Sequence, residues 1–547
     1  MKIKSPLLIL VPLCLIITVG SYFLSALLTD SFAVYRSVLR DSPPTPGEPV
    51  GPPATRRLVW VLIDALRIDT ADNTEVMPEF NRLRSQGASA TMHSRPPAFS
   101  SPGWGTMLTG AWPDINDSMP LSPDYETLWP WTQDHLFAAV RRTGRPVGVS
   151  GYYWLEKFLW NEPVEGHYYT PHEDHAADVA VVEAAMPWLD DPSYAFVFIH
   201  LDQIDYAGHN EGGPLDPAWN AAAARADGLL GQIVSRLDLS RDTLLVCADH
   251  GHIDQGGHGG DEPFIMTEPF FLLGAGVKPG QYGEIAMADL APTVAALLGT
   301  NLPASSQGRV LTEMVQLPDE TLSNLPAATA AQQSLLLHTY AAAIGEPLRK
   351  EPLATGDTAI YQQVLAKLRQ SRLNRERGLR ALAAMPVFLA LSWLFFRWQK
   401  GEVLIYLAGA GIYLALFHVR FSIVDRWPYS FSTIVDSVSF TLYVGLTTAL
   451  ILIPLWALGG WRLGVFQGRP ALAAGQTLRL VFAVFYLLAL PIAFNLIWNG
   501  PAVGWTLPEM GPHFYALLAG VQVLMVGGLG LLLTGAAAGV AKFIYPG

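Results

Sequence analysis

Two cysteines in 547 residues leave this chain without the means for a disulfide framework. Cys14 lies in an apolar run near the amino terminus and Cys247 at the end of a strand candidate, so pairing between them is not expected. The polar part of the chain must be stable through its size and core alone. Charge is scarce too, at 15% of residues, and one-sided: 35 Lys and Arg against 47 Asp and Glu give a net charge of −12. With no basic patch in the central region, a nucleic-acid partner is excluded.

Charge is missing altogether from residues 5–29, a stretch long enough to cross a bilayer. No clean small-x-small site precedes Asp30, so an uncleaved anchor is expected rather than a signal peptide. Beyond Arg380, near-charge-free runs recur at 381–396, 403–419, 437–458, 480–498 and 513–540, each of spanning character. A buried bundle in a soluble protein would not need so many. Lys2 and Lys4 before the anchor predict a cytoplasmic amino terminus and an external central domain. Parity then puts Arg397, Lys400, Arg462, Arg469 and Lys542 on the cytoplasmic side. Lys367, Arg369, Arg372, Arg375, Arg377 and Arg380 form a basic run on the outer side, read either as a helix lying on anionic lipid or as a solvated helix end. His418, Arg479, Asn495 and His513 are polar points of the bundle, with helix-interface or interfacial roles.

Between residues 30 and 380 the chain is polar enough for a globular domain, and it holds nearly all the histidines. Apolar runs at 58–63, 147–149, 195–201, 243–248 and 270–273 predict short buried strands. Helical patterns fall at 77–86, 134–142, 174–189 and 217–237. This alternation predicts an α/β fold with helices on both faces of a mostly parallel sheet. Asp64, Asp205 and Asp249 then all follow strand ends, the edge where sites of open α/β sheets are assembled.

Asp205-Tyr-Ala-Gly-His209 sets a carboxylate and an imidazole four residues apart, with a glycine that lets the chain pass close to an ion. Asp249-His250 offers two more ligands, and His258 follows in a glycine-rich loop able to fold back. Carboxylates mixed with imidazoles suit catalytic zinc; an all-oxygen magnesium site would not need the histidines. Ser100 lies between Pro96-Pro97 and Pro102-Gly103 at the start of a helix whose first amides could hold an oxyanion. A serine needs a base or a metal to become nucleophilic, and direct coordination would serve. The bland alternative for Ser100 or Ser101 is a helix cap. Trp129, Trp131, Tyr152, Tyr153, Trp154, Trp160, Tyr168 and Tyr169 form an aromatic stretch that suits core packing, an amine head group or a membrane surface. His167, His172, Glu173, Asp174 and His175 are a further candidate contact group.

With these residues in order, the chain resembles the alkaline phosphatase superfamily, above all its type I phosphodiesterase/nucleotide pyrophosphatase branch and the ethanolamine phosphate transferases that modify glycosylphosphatidylinositol. The likeness rests on Leu62-Ile-Asp64-Ala-Leu-Arg67, Met77-Pro-Glu-Phe80, Ser100 with Thr109-Gly110, Asp205-Tyr-Ala-Gly-His209, Asp249-His-Gly251, His258-Gly-Gly260, Asp289-Leu-Ala-Pro-Thr293 and Leu297-Leu-Gly299. It covers about 56–315 and implies an alkaline-phosphatase-like catalytic domain there. Around it are expected an anchor at 1–29, a linker at 30–55, a helical connector with the basic stretch at 316–380 and a five-span membrane domain at 381–547.

The resemblance implies two zinc ions, with manganese as a substitute. One is held by Asp205, His209 and His258, the other by Asp64, Asp249 and His250 with the Ser100 oxygen. The family's nucleophile is usually threonine; Ser100 keeps the hydroxyl, and Ser101 is the alternative. Sulfatase chemistry is disfavoured, because Ser100-Ser-Pro102-Gly-Trp104 has tryptophan where the sulfatase motif needs arginine. The implied activity is transfer of phosphoethanolamine or a related head group through a substituted phosphoserine. The partners implied are a phospholipid donor, a lipid, glycolipid or glycan acceptor, and the bilayer, with the catalytic domain in the periplasm or an organelle lumen. The alternative is a membrane-bound phosphodiesterase that uses water at the same centre.

Overall fold

The computed structural model describes residues 7–121, 124–348 and 356–544; Lys2 and Lys4, on which the expected orientation rests, lie outside them. The chain divides into two compact units. One comprises Ala33–Leu373 with Trp505–Leu507, the other Met1–Phe32, Asn374–Gly504 and Pro508–Gly547.

The first unit is built on strands β1 (Arg57–Ile63), β2 (Ala88–His93), β3 (Val147–Tyr152), β4 (Gly166–Thr170), β5 (Phe196–Leu201), β6 (Asp242–Cys247), β7 (Thr267–Gly274) and β8 (Gly280–Ala286). They form one sheet in the order β4-β3-β5-β1-β6-β7-β2-β8. β7 is antiparallel to both neighbours, and every other pairing is parallel.

Side-chain alternation explains why the central strands read as unbroken apolar runs. Leu58, Trp60 and Leu62 of β1, with Phe196 and Phe198 of β5, enter one core. Val59, Val61 and Ile63, with Val197, Ile199 and Leu201, enter the other. Each face is closed by helices. Ser100–Thr109, Leu136–Arg141 and Leu290–Leu298 contribute to the first core, and Pro78–Arg84, His175–Asp190 and Pro217–Val234 to the second. Full burial of each large apolar side chain stabilises by about 1.5–3 kcal/mol, so these two cores can dispense with disulfides; both cysteines are free.

Residues 33–55 are not a loose linker. Tyr35, Leu39 and Val50 are buried, the Tyr35 hydroxyl donates to the Asp114 carbonyl at 2.8 Å, and Arg36 is paired with Asp117 at 2.6 Å. Helix Asp319–Ala343 of the expected connector is likewise part of the unit, since its Leu336, Leu337 and Tyr340 share a core with Leu39, Ala111 and Ile115. The expected 56–315 therefore captures the sheet but omits the segments that wrap it.

The described residues include six helices long and apolar enough to cross a membrane: Leu7–Ala33, Thr358–Trp398, Val403–Val424, Ser437–Arg462, Pro470–Trp498 and Met510–Ile544. The chain is an integral membrane protein. Gly520 and Gly527 face Ser25 and Thr18, where a Cβ would overlap the hydroxyls, so small residues set the close approach of two helices. His418 pairs with Tyr429, Arg479 with Glu402, and Asn495 and His513 are buried.

The basic run is not a separate surface helix but part of Thr358–Gln399, continuous with the second span. Several of its guanidinium groups have protein partners. Arg372 sits over Trp505 at 4.3 Å, and Arg377 binds Glu509 at 2.6 Å and covers Trp498 at 3.7 Å.

Candidate metal centre and active site

The carboxyl ends of β1, β5 and β6 bring the candidate residues together. Asp64 follows β1 directly, and Ala65 turns the chain sharply with a φ of 59°, a strained conformation of the kind found at functional sites. Asp249 stands two residues after β6. Asp205 lies within helix Gln203–Asn210, which leaves the end of β5.

His250 is the hub of the first cluster. Its Nδ1 donates to the Gly251 carbonyl at 3.2 Å, which leaves the Nε2 lone pair free. Around Nε2 stand Ser100 Oγ at 3.1 Å, Asp64 Oδ1 at 3.4 Å and Asp249 Oδ2 at 3.5 Å. Asp249 is fixed from both sides: Oδ1 accepts the Ala65 and His250 amides at 3.2 and 3.1 Å, and Oδ2 accepts Trp104 Nε1 at 3.0 Å. Trp104 thus has its own task, holding this carboxylate.

Helix Ser100–Thr109 delivers Ser100 to the cluster. Its N-cap is Phe99, without a side-chain cap bond, so neither serine is a capping residue. Ser101 Oγ is buried with no partner among the described residues.

The second cluster joins Asp205, His209 and His258. His258 Nδ1 donates to the Ala98 carbonyl at 3.2 Å, and its Nε2 lies 2.9 Å from His209 Nε2 and 3.6 Å from Asp205 Oδ1. His209 Nε2 is 3.5 Å from Asp205 Oδ2. The loop reaches this position through Gly259, whose φ of 103° and contact with the Phe99 ring leave no space for a side chain. Arg67 braces the same loop, binding Asp69 and Asp254 at 2.6 and 2.8 Å.

The sequence reading missed three members of this centre. His200 Nε2 lies 2.8 Å from Asp64 Oδ2, and His252 Nε2 lies 2.7 Å from Asp205 Oδ1. Asp202 is 7% exposed and places a carboxylate oxygen within 4.8 Å of ligand atoms of Asp64 and His200. A single histidine in an apolar strand reads as core, and His252 sat unremarked two residues past Asp249-His250.

The electrostatics call for a cation. Burial, then the carboxylates of Asp249, Asp205 and Asp202, push Asp64 well above the usual carboxylate range. Burial also raises Asp249, against the opposing pull of His250. Asp205 resists its burial, held well below its ordinary value by His209, the His252 hydrogen bond and His258. Burial drives His200 down to about 3 and His252 down to about 4, so both are neutral. Asp64 Oδ1 is buried and accepts no hydrogen bond among the described residues. Buried carboxylates without enough donors, beside imidazoles with free lone pairs, fit divalent ions with mixed nitrogen and oxygen ligands.

Core packing accounts for much of the aromatic stretch. Trp131 stacks on Phe158 at 4.9 Å and Tyr153 on Tyr125 at 4.3 Å, while Trp160 is 67% exposed. Of the neighbouring polar group, Asp174 caps helix His175–Asp190 and Glu173 accepts from the Tyr152 hydroxyl.

Residues 58–261 match the family model for type I phosphodiesterase/nucleotide pyrophosphatase. The chain is 27% identical over 389 residues to GPI ethanolamine phosphate transferase 3, catalytic subunit, of Mus musculus, a match covering 62% of this chain and 35% of that protein. The protein of the same name from Homo sapiens is 26% identical over 408 residues, with 64% and 36% covered. The chain thus spans about a third of the length of these curated relatives. Among solved structures, murine ectonucleotide pyrophosphatase/phosphodiesterase 5 aligns with a TM-score of 0.40 at 14% identity, covering 48% of this chain and 100% of that one. Wild-type alkaline phosphatase PafA aligns with a TM-score of 0.39 at 13% identity, covering 48% and 99%. Residues 58–261 are therefore similar to the type I phosphodiesterase/nucleotide pyrophosphatase family, and the chain is similar in sequence to the GPI ethanolamine phosphate transferases.

Proposed function

We propose that this protein is a membrane-bound transferase of phosphoethanolamine, or a related head group, between lipid or glycolipid substrates, with Ser100 as nucleophile. The observation that carries the reading is the meeting of Ser100 Oγ with His250 Nε2, 3.1 Å apart, beside the orphaned Asp64 Oδ1. The related transferases and the six apolar helices supply the lipid context.

Two zinc ions are assigned, one to Asp64, Asp249, His250 and Ser100, the other to Asp205, His209 and His258, with manganese as a substitute. When bound, such ions lower the pKa of a coordinated hydroxyl and neutralise charge on the non-bridging phosphate oxygens. Ser100 Oγ forms a bond to phosphorus as the bond to the diacylglycerol oxygen of phosphatidylethanolamine breaks, and the serine proton leaves with that alcohol. The phosphoethanolamine group stays on Ser100. An acceptor hydroxyl then attacks the same phosphorus, the Ser100 oxygen leaves, and the acceptor's proton restores the serine.

Membrane spans favour transfer over hydrolysis because they keep two lipids near one site, and proximity lets a scarce hydroxyl compete with water. The catalytic unit is assigned to the extracytoplasmic side, in periplasm or lumen, with the amino terminus in the cytoplasm. The second reading, a membrane-bound phosphodiesterase, is favoured by the family model that matches residues 58–261.

Purified protein incubated with labelled phosphatidylethanolamine and candidate acceptors decides between them. A labelled Ser100 peptide and an acceptor heavier by one phosphoethanolamine are expected. Free phosphoethanolamine whatever the acceptor would establish hydrolysis instead.

A further inference from the structure

We propose that His200 and His252 are a matched pair of positioning residues, each holding one metal-ligating aspartate so that its other oxygen faces an ion. The inference rests on the metal reading above and deepens it, because neither histidine is counted among the ligands there.

The two sites are built alike. His200 Nδ1 accepts the Tyr152 amide at 3.4 Å, and His252 Nδ1 accepts the Gly257 amide at 2.8 Å. A backbone donor on Nδ1 puts the ring proton on Nε2. That proton is then donated to a carboxylate, Asp64 Oδ2 at 2.8 Å for His200 and Asp205 Oδ1 at 2.7 Å for His252. A protonated nitrogen has no lone pair for a metal, so His252 is excluded as a ligand despite standing among Asp205, His250 and His258.

Both rings are sterically seated. A Cβ on Gly151 would lie 2.6 Å from His200 Cβ, and one on Gly208 would lie 2.4 Å from His252 Cε1. The glycine of Asp205-Tyr-Ala-Gly-His209 therefore makes room for a buried imidazole rather than for an ion. Each histidine side chain is fully buried. The consequence is geometric. With Oδ2 occupied, Asp64 presents Oδ1, which has no hydrogen bond among the described residues, 3.4 Å from His250 Nε2. With Oδ1 held by His252, Asp205 keeps Oδ2 beside His209 at 3.5 Å. Outer partners of metal ligands act in this way, and their loss typically weakens metal binding about 10–100-fold.

The test is zinc affinity of the full-length protein in detergent, measured by chelator competition on the wild type and on His200→Leu, His252→Leu, His200→Gln and His252→Gln. Leucine removes the donor, whereas glutamine can return an N–H near the Nε2 position. Each leucine variant is expected to weaken one ion about 10–100-fold, and each glutamine variant to recover most of that loss. Should a leucine variant not fold, its glutamine partner carries the comparison, with retention near wild type expected. Leucine variants that bind like wild type would overturn the proposal. So would a His252→Gln variant that loses an ion as completely as His209→Ala, since that marks a ligand. A wild type that takes up no divalent ion removes the metal reading itself, a result separable from any variant effect.

Discussion

Ser100 Oγ lies 3.1 Å from His250 Nε2, while Ser101 Oγ, one residue later, is buried without a hydrogen-bond partner among the described residues. The adjacent hydroxyls should therefore separate cleanly. Ser100→Ala is expected to lower turnover about 10³-fold or more and to abolish the covalent intermediate, with ion content largely retained by Asp64, Asp249 and His250. Ser101→Ala removes an unsatisfied buried polar group, so stability should hold or rise and activity should stay within a few-fold. Intact-mass analysis after reaction with a labelled donor reads the difference; labelled Ser100→Ala protein would move the nucleophile elsewhere.

Legibility in the sequence followed burial and chemical distinctiveness. β1, β5 and β6 were readable because both faces of each are buried, which forces continuous apolar runs. β2, β4 and β8 were not. Gly166–Thr170 and Gly280–Ala286 are edge strands with exposed positions and glycines, and Ala88–His93 is small or polar at every position but Met92. The candidate ligands stood out because several aspartates and histidines gather at strand ends. His200 and His252 were hidden because what marks them is the space left by Gly151 and Gly208, visible only once the strands and loops are folded together.

Gly208→Ala reverses the usual rule for helices. In helix Gln203–Asn210 an alanine would ordinarily gain about 1 kcal/mol over glycine. Its Cβ would meet His252 Cε1 at 2.4 Å, and overpacking of this kind costs about 1–3 kcal/mol. The net expectation is a lower unfolding midpoint in denaturant together with weaker zinc binding through the displaced imidazole. An increase in stability would show that His252 does not occupy that space.

Ion removal should expose the Asp64 contribution to the pH dependence of stability. Burial and the neighbouring carboxylates raise Asp64 well above its ordinary value, so the metal-free folded protein holds that proton more tightly than the unfolded chain does. The stabilisation is complete below the unfolded pKa of about 3.9 and is lost as pH rises through the higher folded value. Buried His200 and His252, driven down to about 3 and about 4, act in the opposite sense, because the unfolded chain takes up their protons as pH falls. The Asp64 contribution is therefore read against Asp64→Asn: from pH 5 to pH 7.5 chelated wild type is expected to lose more stability, or gain less, than the chelated variant. An identical pH dependence of the midpoint in chelated wild type and chelated Asp64→Asn would contradict the reading of Asp64 as a buried carboxyl that needs a cation.

Trp104→Phe tests whether the indole acts through Asp249 or only fills space. Trp104 Nε1 donates to Asp249 Oδ2 at 3.0 Å, and a buried bond to a charged acceptor is worth about 1.5–3 kcal/mol. Trp60 is an internal control: as deeply buried in the same core, it donates to Cys247 Sγ, at 3.3 Å, rather than to a carboxylate. Both phenylalanine variants lose the same ring volume, so the packing loss should be similar. The Trp104 variant alone frees Asp249 Oδ2 to swing from its position 3.5 Å from His250 Nε2. It is expected to lose about 1–3 kcal/mol more stability than Trp60→Phe and to bind zinc more weakly, whereas Trp60→Phe should leave zinc affinity unchanged. If the two variants lose stability and zinc affinity equally, the Trp104 hydrogen bond contributes nothing to the centre, and the residue is there for its volume.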